Sequence, residues 1–234
     1  MIRRVSLGKD LRHALDRNEF VLYYQPIVSI DTGLLVGAEA LLRWYRAGAE
    51  LIPSEEFIPL AEETGVISEI GKWVLLQACS QARQWHDKGY IDLSISVNMS
   101  PKQLRDGSIR QTVGNVLKET GFEPKRLTLE ITENVMSLDI NTTIGAMEGI
   151  SELGVSWSMD DFGTGYSSIK FLQRLPLNEM KIDKSFLNGI PEDSANSKIV
   201  IAAVALARGF GLKVLAEGVE ENEQLRFLSA CGCH

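Results

Sequence analysis

From Asp92 to Val219 the chain alternates five short apolar runs with segments of helical period, without a break. The runs are DLSISVNM (92–99), RLTLEITE (126–133), VSWSMDDF (155–162), EMKIDKSF (179–186) and KVLAEGV (213–219). Most are β-branched or aliphatic in their first half and bounded by turn residues, which predicts strands. Strands separated by helices feed a mostly parallel sheet. Two earlier runs, VLYYQPIVS (21–29) and LVGAEALLRW (35–44), are separated by DTG and a few flanking residues. That spacing permits a hairpin, and so one antiparallel strand ahead of the parallel ones. Seven strands with no Gly-x-Gly-x-x-Gly turn favour an α/β barrel over a dinucleotide-binding open sheet.

Helix punctuation falls between the runs. Ser100-Pro101 offers an N-cap and a proline at the first helical position, and Gly121 follows that helix. Ser68 caps a helix carrying Ile70, Trp73, Val74 and Trp85 before Gly89. Ser167-Ser168 begins another with Ile169, Phe171, Leu172 and Leu175, which Pro176 stops. Ile199, Ala202, Ala203, Leu206 and Phe210 repeat at helical spacing on the next, after the polar loop GIPEDSANSK (189–198). Near the start, Leu7, Leu11, Ala14 and Leu15 share one helix face. Residues 1–18 therefore read as a helix that packs under the barrel or continues a linker from a preceding domain. Residues 19–234 read as the barrel.

Nearly every strand carries an acid or amide late: Glu39, Asn98, Glu130, Asp160 with Asp161, Asp183 and Glu217. In a parallel barrel the C-terminal strand ends form one face, where such side chains converge. Any one of them alone is read as a helix cap or surface charge. Six carboxylates and an amide gathered together would repel one another unless cations intervened. A hard divalent ion suits the set, because Mg²⁺ and Mn²⁺ prefer carboxylate, amide oxygen and water. Adjacent aspartates can serve two such ions, and a two-metal site clamps both oxygens of a phosphoryl displacement. Arg43, four residues after Glu39, suits a forked phosphate contact. Lys181 lies mid-strand between Met180 and Ile182, where a buried ammonium needs carboxylate partners. It is expected to point into the acidic mouth and stabilise charge there.

Composition sets the outer limits. A chain of 234 residues can bury one sizeable core. Its net charge of −7 argues against a nucleic-acid polymer as ligand but leaves room for a small phosphate-bearing one. The longest apolar run, IVIAAVALA (199–207), falls far short of the ~20 residues of a membrane span. No signal-peptide core opens the chain. Three cysteines without framework spacing point to a reducing, cytoplasmic setting.

The chain resembles the EAL-domain family of cyclic di-GMP phosphodiesterases from about Leu11 onward. The motifs are YYQPIV (23–28), GAEALLRW (37–44), FIPLAEETG (57–65), SVNMS (96–100), LEITE (129–133), DDFGTGYSS (160–168), LPLNEMKIDKSF (175–186) and LAEGVE (215–220). Eight motifs in order make a specific match. The resemblance implies a modified (β/α)8 barrel with an antiparallel first strand. It implies hydrolysis of cyclic di-GMP to linear pGpG with two Mg²⁺ or Mn²⁺ ions, in bacterial second-messenger signalling. Carried over by position, Glu39, Asn98, Glu130 and Asp160 hold the first metal. Asp160 and Asp161 hold the second, with Glu217 beside the attacking water. Lys181 positions that water, with Asp183 its neighbour. Gln25 and Arg43 contact substrate. Glu133 steadies the loop from Phe162 to Ser168, which the family places at a homodimer interface. The family's last strand, with its Gln-Gly motif, and final helix are missing from this sequence. A sensory or membrane module is expected to precede Met1. The alternative reading is a member that binds cyclic di-GMP or a protein partner without hydrolysis. Loss of a metal ligand or of the lysine would favour that reading, and all the positions that can be checked are filled by competent residues.

Smaller signals add little. Cys231, Cys233 and His234 match no common zinc spacing. Cys79 reads as core, and His13 and His86 as solvated. The run AEETG (61–65) reads as a solvated helix end, to which the resemblance adds only a structural role.

Overall fold

Residues Ser29 to Leu34 reverse the chain in a tight turn, with the Ser29 N–H donating to the Leu34 carbonyl at 2.9 Å. The strands it joins, β1 (Phe20–Val28) and β2 (Leu35–Arg46), are sheet neighbours and so run antiparallel, as the short connection predicts. The computed structural model describes residues 2–47, 50–137, 139–163 and 169–234, apart from the side chains of 2, 136, 137 and 194. It contains two compact units, Met1–Ile27 with Gly37–Leu127, and Val28–Val36 with Thr128–His234.

In the first unit, β2 pairs antiparallel with a short β3 (Glu50–Ile52) and parallel with β4 (Ser94–Asn98). The three-residue β3 is too short to leave a periodic signal. A ring cluster of Phe20, Trp44 and Phe57 anchors the unit, with Trp44 edge-on to Phe57 at 5.6 Å. The indole N–H of Trp44 donates to buried Glu19 at 2.9 Å. Helix α1 (Ile2–Leu11) packs on α2 (Ser54–Thr64), burying Leu7 and Leu11, and Arg3 and Arg4 pair with Glu56 and Glu63. The sequence reading placed only the end of α2, at AEETG, because Pro59 lies inside the helix, where proline ordinarily breaks one. Helix α3 (Ile67–Asp87) starts one residue before Ser68, which sits in its first turn and does not cap it. The helix expected over 101–121 is two: α4 (Pro101–Arg105) and α5 (Ile109–Thr120). Asp106 breaks it by accepting the Ser108 N–H at 3.1 Å, an Asx-type turn that competes with the helix. His86 is half-buried against Phe122, with Nε2 2.8 Å from the Leu93 carbonyl, and is not solvated as expected. His13 is exposed and Cys79 is fully buried, both as expected.

In the second unit four strands run parallel in sequence order: β5 (Leu127–Thr132), β6 (Ser156–Phe162), β7 (Glu179–Ile182) and β8 (Lys213–Ala216). Successive residues of a strand face opposite sides. One face carries Leu129, Ile131, Trp157, Met159, Met180, Ile182 and Val214, none more than 1% exposed. Helices α6 (Ile140–Ser151) and α8 (Ser194–Gly209) cover strands of this sheet, and the Trp157 indole donates to the Met147 carbonyl at 3.1 Å. The other face carries Thr128, Glu130, Ser156, Ser158, Asp160, Glu179 and Lys181. Polar residues thus begin early in the strands, and alternation, more than position along the strand, sorts them. On α8 the buried stripe is Val200, Ala203, Val204 and Ala207, while Ile199 is 41% exposed. The expected stripe was out by one residue, because small apolar residues surround it on every side of the helix. The helix expected from Ser167 is reduced, among described residues, to α7 (Ile169–Leu172), with Ile169 exposed. Its expected cap lies outside the described residues. Helix α9 (Asn222–Cys231) completes the unit.

Candidate active site

In the first unit, β2 places Glu39 opposite Ser96 of β4, and Asn98 is the last residue of β4. Glu39 is buried, and the Asn98 amide donates to its Oε1 at 2.7 Å. The amide N–H orients the carboxylate, while the amide oxygen remains a hard donor of the kind Mg²⁺ accepts. Arg43 is inside the strand rather than at its end, since β2 continues to Arg46. Its guanidinium lies 5.6 Å from the centre of the Tyr23 ring, and the Tyr23 and Tyr45 hydroxyls are 2.8 Å apart. That hydrogen bond raises the Tyr45 pKa. Gln25 is exposed on β1.

In the second unit, Lys181 is the centre. Its Nζ lies 2.8 Å from Glu130 Oε2, 3.3 Å from Asp160 Oδ1 and 2.5 Å from Glu217 Oε1. The ammonium donates to Glu130, and Asp160 and Glu217 lie within ion-pair distance. The Lys181 and Glu130 side chains are 1% exposed, Asp160 12% and Glu217 28%. Glu130, Asp160 and Glu217 thus gather on one ammonium in a largely dry site, where a carboxylate is costly unless it is paired. Glu217 follows directly on β8, held by its N–H to the Ile182 carbonyl at 3.1 Å.

Asp161 departs from the simple strand end that its neighbour suggests. Between β6 and β7, Met159 pairs with Met180 but Phe162 pairs with Ile182, so one extra residue is inserted. Asp161 absorbs it with φ +54°, in the left-handed region, and its N–H donates to Asp160 Oδ1 at 2.9 Å. A β-bulge breaks the alternation that would otherwise send the two aspartates to opposite faces. Glu133, buried at the start of a 3₁₀ turn after β5, accepts the Gly163 N–H at 2.8 Å. The rest of the loop it was expected to steady, residues 164–168, lies outside the described residues. Asp183 caps a 3₁₀ turn through the Ser185 N–H at 2.9 Å.

The sequence reading passed over Glu179. It lies on the Lys181 face, in register with Ser158 and Lys213. Burial raises its pKa, the Ser158 hydroxyl, Lys181 and Lys213 offset part of that, and Asp160 adds to it. Its position two residues before Lys181 was the available signal. Among the described residues, no metal-ligating group includes Cys231, Cys233 or His234. Cys233 is buried, which pushes its thiol up to about 11.

A model of the EAL domain matches residues 9–234. The bifunctional diguanylate cyclase/cyclic di-GMP phosphodiesterase MucR of Pseudomonas aeruginosa is 46% identical over 231 residues, 99% of this chain and 34% of that protein. The cyclic di-GMP phosphodiesterase NbdA of the same organism is 39% identical over 231 residues, 99% of this chain and 30% of that protein. The chain thus spans about a third of the length of these curated relatives. The solved PaMucR phosphodiesterase, a c-di-GMP complex, has a TM-score of 0.91 at 46% identity, over 98% of this chain and 93% of that one. The (β/α)8-like class expected from the sequence is the fold of these domains.

Proposed function

The chain belongs to the EAL-domain family, and on that premise we propose that it is a metal-dependent phosphodiesterase that hydrolyses cyclic di-GMP to linear pGpG. The observation that carries the reading is the gathering of carboxylates around Lys181: Glu130, Asp160 and Glu217 on one ammonium. Clustered carboxylates held in place by a lysine are a donor set for hard divalent cations. The names of the similar proteins support the substrate.

In this reading Glu39, Asn98, Glu130, Asp160, Asp161 and Glu217 hold two ions, Mg²⁺ or Mn²⁺. When bound, the ions neutralise the carboxylates, polarise the phosphodiester and lower the pKa of the attacking water. The water oxygen bonds to phosphorus, one phosphorus–oxygen ester bond breaks, and the proton that the water gives up passes, net, to the leaving ribose oxygen. With the carboxylates turned to the ions, Lys181 would offer an N–H to the attacking oxygen and stabilise charge as it develops. Glu217, the most exposed of its three partners, faces incoming water. Asp161, beside Asp160 at the bulge, would help to hold the second ion. Arg43, steadied over the Tyr23 ring, takes a phosphate, with Gln25 and Asp183 beside the substrate. Glu133 fixes the start of the loop after β6 through Gly163. We include in the proposal a homodimer and a cytoplasmic setting. No helix of the described residues is long and apolar enough to cross a membrane.

The test is turnover. The protein incubated with cyclic di-GMP and Mg²⁺ should accumulate pGpG, and chelator should stop it. A folded, metal-loaded protein that binds cyclic di-GMP and releases no pGpG would move the assignment to a receptor.

A further inference from the structure

We propose that Glu62, on α2, is a positioning residue for Asn98. The inference rests on the reading of Asn98 and Glu39 as metal-holding residues. Val97 is the last residue of β4 in register with β2, so the backbone from Asn98 onward leaves that pairing. What holds it comes from the helices. The Ser100 hydroxyl donates to Glu62 Oε1 at 2.6 Å, a charge-assisted length, and the Lys102 ammonium donates to the Glu62 carbonyl. Ser100 Oγ in turn accepts the Lys102 N–H at 3.1 Å, and the Ser100 N–H donates to Gln103 Oε1 at 2.9 Å. Gln103 is 4% exposed and seated on Gly71 of α3, where a Cβ would come within 1.9 Å of its Nε2. The intervening Met99 is 4% exposed. Residues 99–103 are therefore pinned from two helices, immediately after the amide that orients Glu39 at 2.7 Å.

The run AEETG acquires a function from this. Glu63 turns outward to Arg4 of α1, while Glu62 turns inward to Ser100. Glu62 touches neither Asn98 nor Glu39 in the contacts described above. It acts through the Ser100 backbone, fixing where β4 ends and so where the Asn98 amide sits. Groups that orient a metal ligand from behind commonly matter about 10–100-fold in metal affinity.

The test compares wild type with Glu62→Ala, Glu62→Gln, Ser100→Ala and Asn98→Ala. Mn²⁺ affinity is measured by titration calorimetry, kcat and KM on cyclic di-GMP with saturating Mg²⁺, and folding by thermal unfolding. Glu62→Ala is expected to weaken Mn²⁺ binding about tenfold. It should lower kcat more than it raises KM, with a cooperative unfolding transition retained. Glu62→Gln should restore both, because its amide oxygen accepts the same hydroxyl. Glu62→Ala with Ser100→Ala should be no worse than the more damaging single change, since the two share one bond. Wild-type Mn²⁺ affinity in Glu62→Ala, or a loss that Glu62→Gln fails to restore, overturns the proposal. Should Glu62→Ala not fold, Ser100→Ala removes the same bond and decides the matter by the same readouts. Unchanged Mn²⁺ affinity in Asn98→Ala defeats the reading of the metal site itself, whatever Glu62 does.

Discussion

Lys181 and Glu130 form a buried ion pair, Nζ to Oε2 2.8 Å, with each side chain 1% exposed. They lie on β7 and β5, with β6 between them contributing Asp160 to the same ammonium. Alternation aims both at one face, and by register Lys181 lies level with the bulge at Asp160 and Asp161, while Glu130 sits two residues earlier, level with Ser158 and Glu179. A pair this dry holds only while both members remain charged and bonded.

Replacing Lys181 with methionine should therefore act on stability and turnover together. The metal-free protein is expected to lose about 3–5 kcal/mol, the usual cost of stranding a buried charge. Saturating Mg²⁺ should return part of it, because the carboxylates regain a cation. Turnover should fall about 10²–10³-fold even with metal. Urea unfolding with and without Mg²⁺, beside a pGpG assay, checks all three. Stability indifferent to both the substitution and the metal would show that the carboxylates around Lys181 do not depend on a cation.

Glu39→Ala is expected to cut turnover by about 10²-fold and to leave the Asn98 amide without its acceptor. Mn²⁺ affinity should fall in parallel. Near wild-type rates would remove Glu39 from the mechanism.

Asp161 separates backbone strain from chemistry. At φ +54° a β-carbon costs about 1–2 kcal/mol, and asparagine and aspartate bear it best. Asp161→Asn should unfold at nearly the wild-type urea concentration, and Asp161→Ala at a lower one. Both should lose turnover. If alanine matches asparagine in stability, the bulge is not held in the left-handed geometry in solution.

Glu179 gives a pH dependence with a definite sign. Its folded pKa is raised above the ordinary 4.5, chiefly by burial. Stability from this group is thus fully present below pH 4.5 and is lost as pH rises through the folded value. Glu179→Gln, which cannot ionise, should raise the melting temperature of the metal-free protein at pH 8 but not at pH 4. A gain of equal size at both values would assign the effect to packing.

Cys79 should be chemically silent. Burial pushes its thiol up to about 12, so about one molecule in 10⁴ carries the reactive thiolate at pH 8. Mass spectrometry after brief alkylation of native protein should find Cys79 unmodified, and after alkylation in urea modified. Rapid labelling of the native state would show that α3 opens readily.

The sequence by itself determined the run of parallel strands from Asp92 onward and the direction of the first hairpin. Those signals are local: β-branched runs, turn residues and an acid late in each strand are visible within ten residues. An ammonium in an apolar parallel strand has no cheap alternative to carboxylates, and Glu130, Asp160 and Glu217 lie around Lys181. Three things were decided only by tertiary structure. The bulge at Asp161 exists because β6 must match β7 with one residue to spare, and no window of β6 contains that mismatch. Glu179 became a half-buried acid because Ser158 and Lys213 arrive beside it from other strands. Glu62 became a bond to Ser100, 38 residues away, although its own surroundings read as a solvated helix end. Periodicity reports which side a residue takes, but the partner waiting on that side is set by chain folded in from elsewhere.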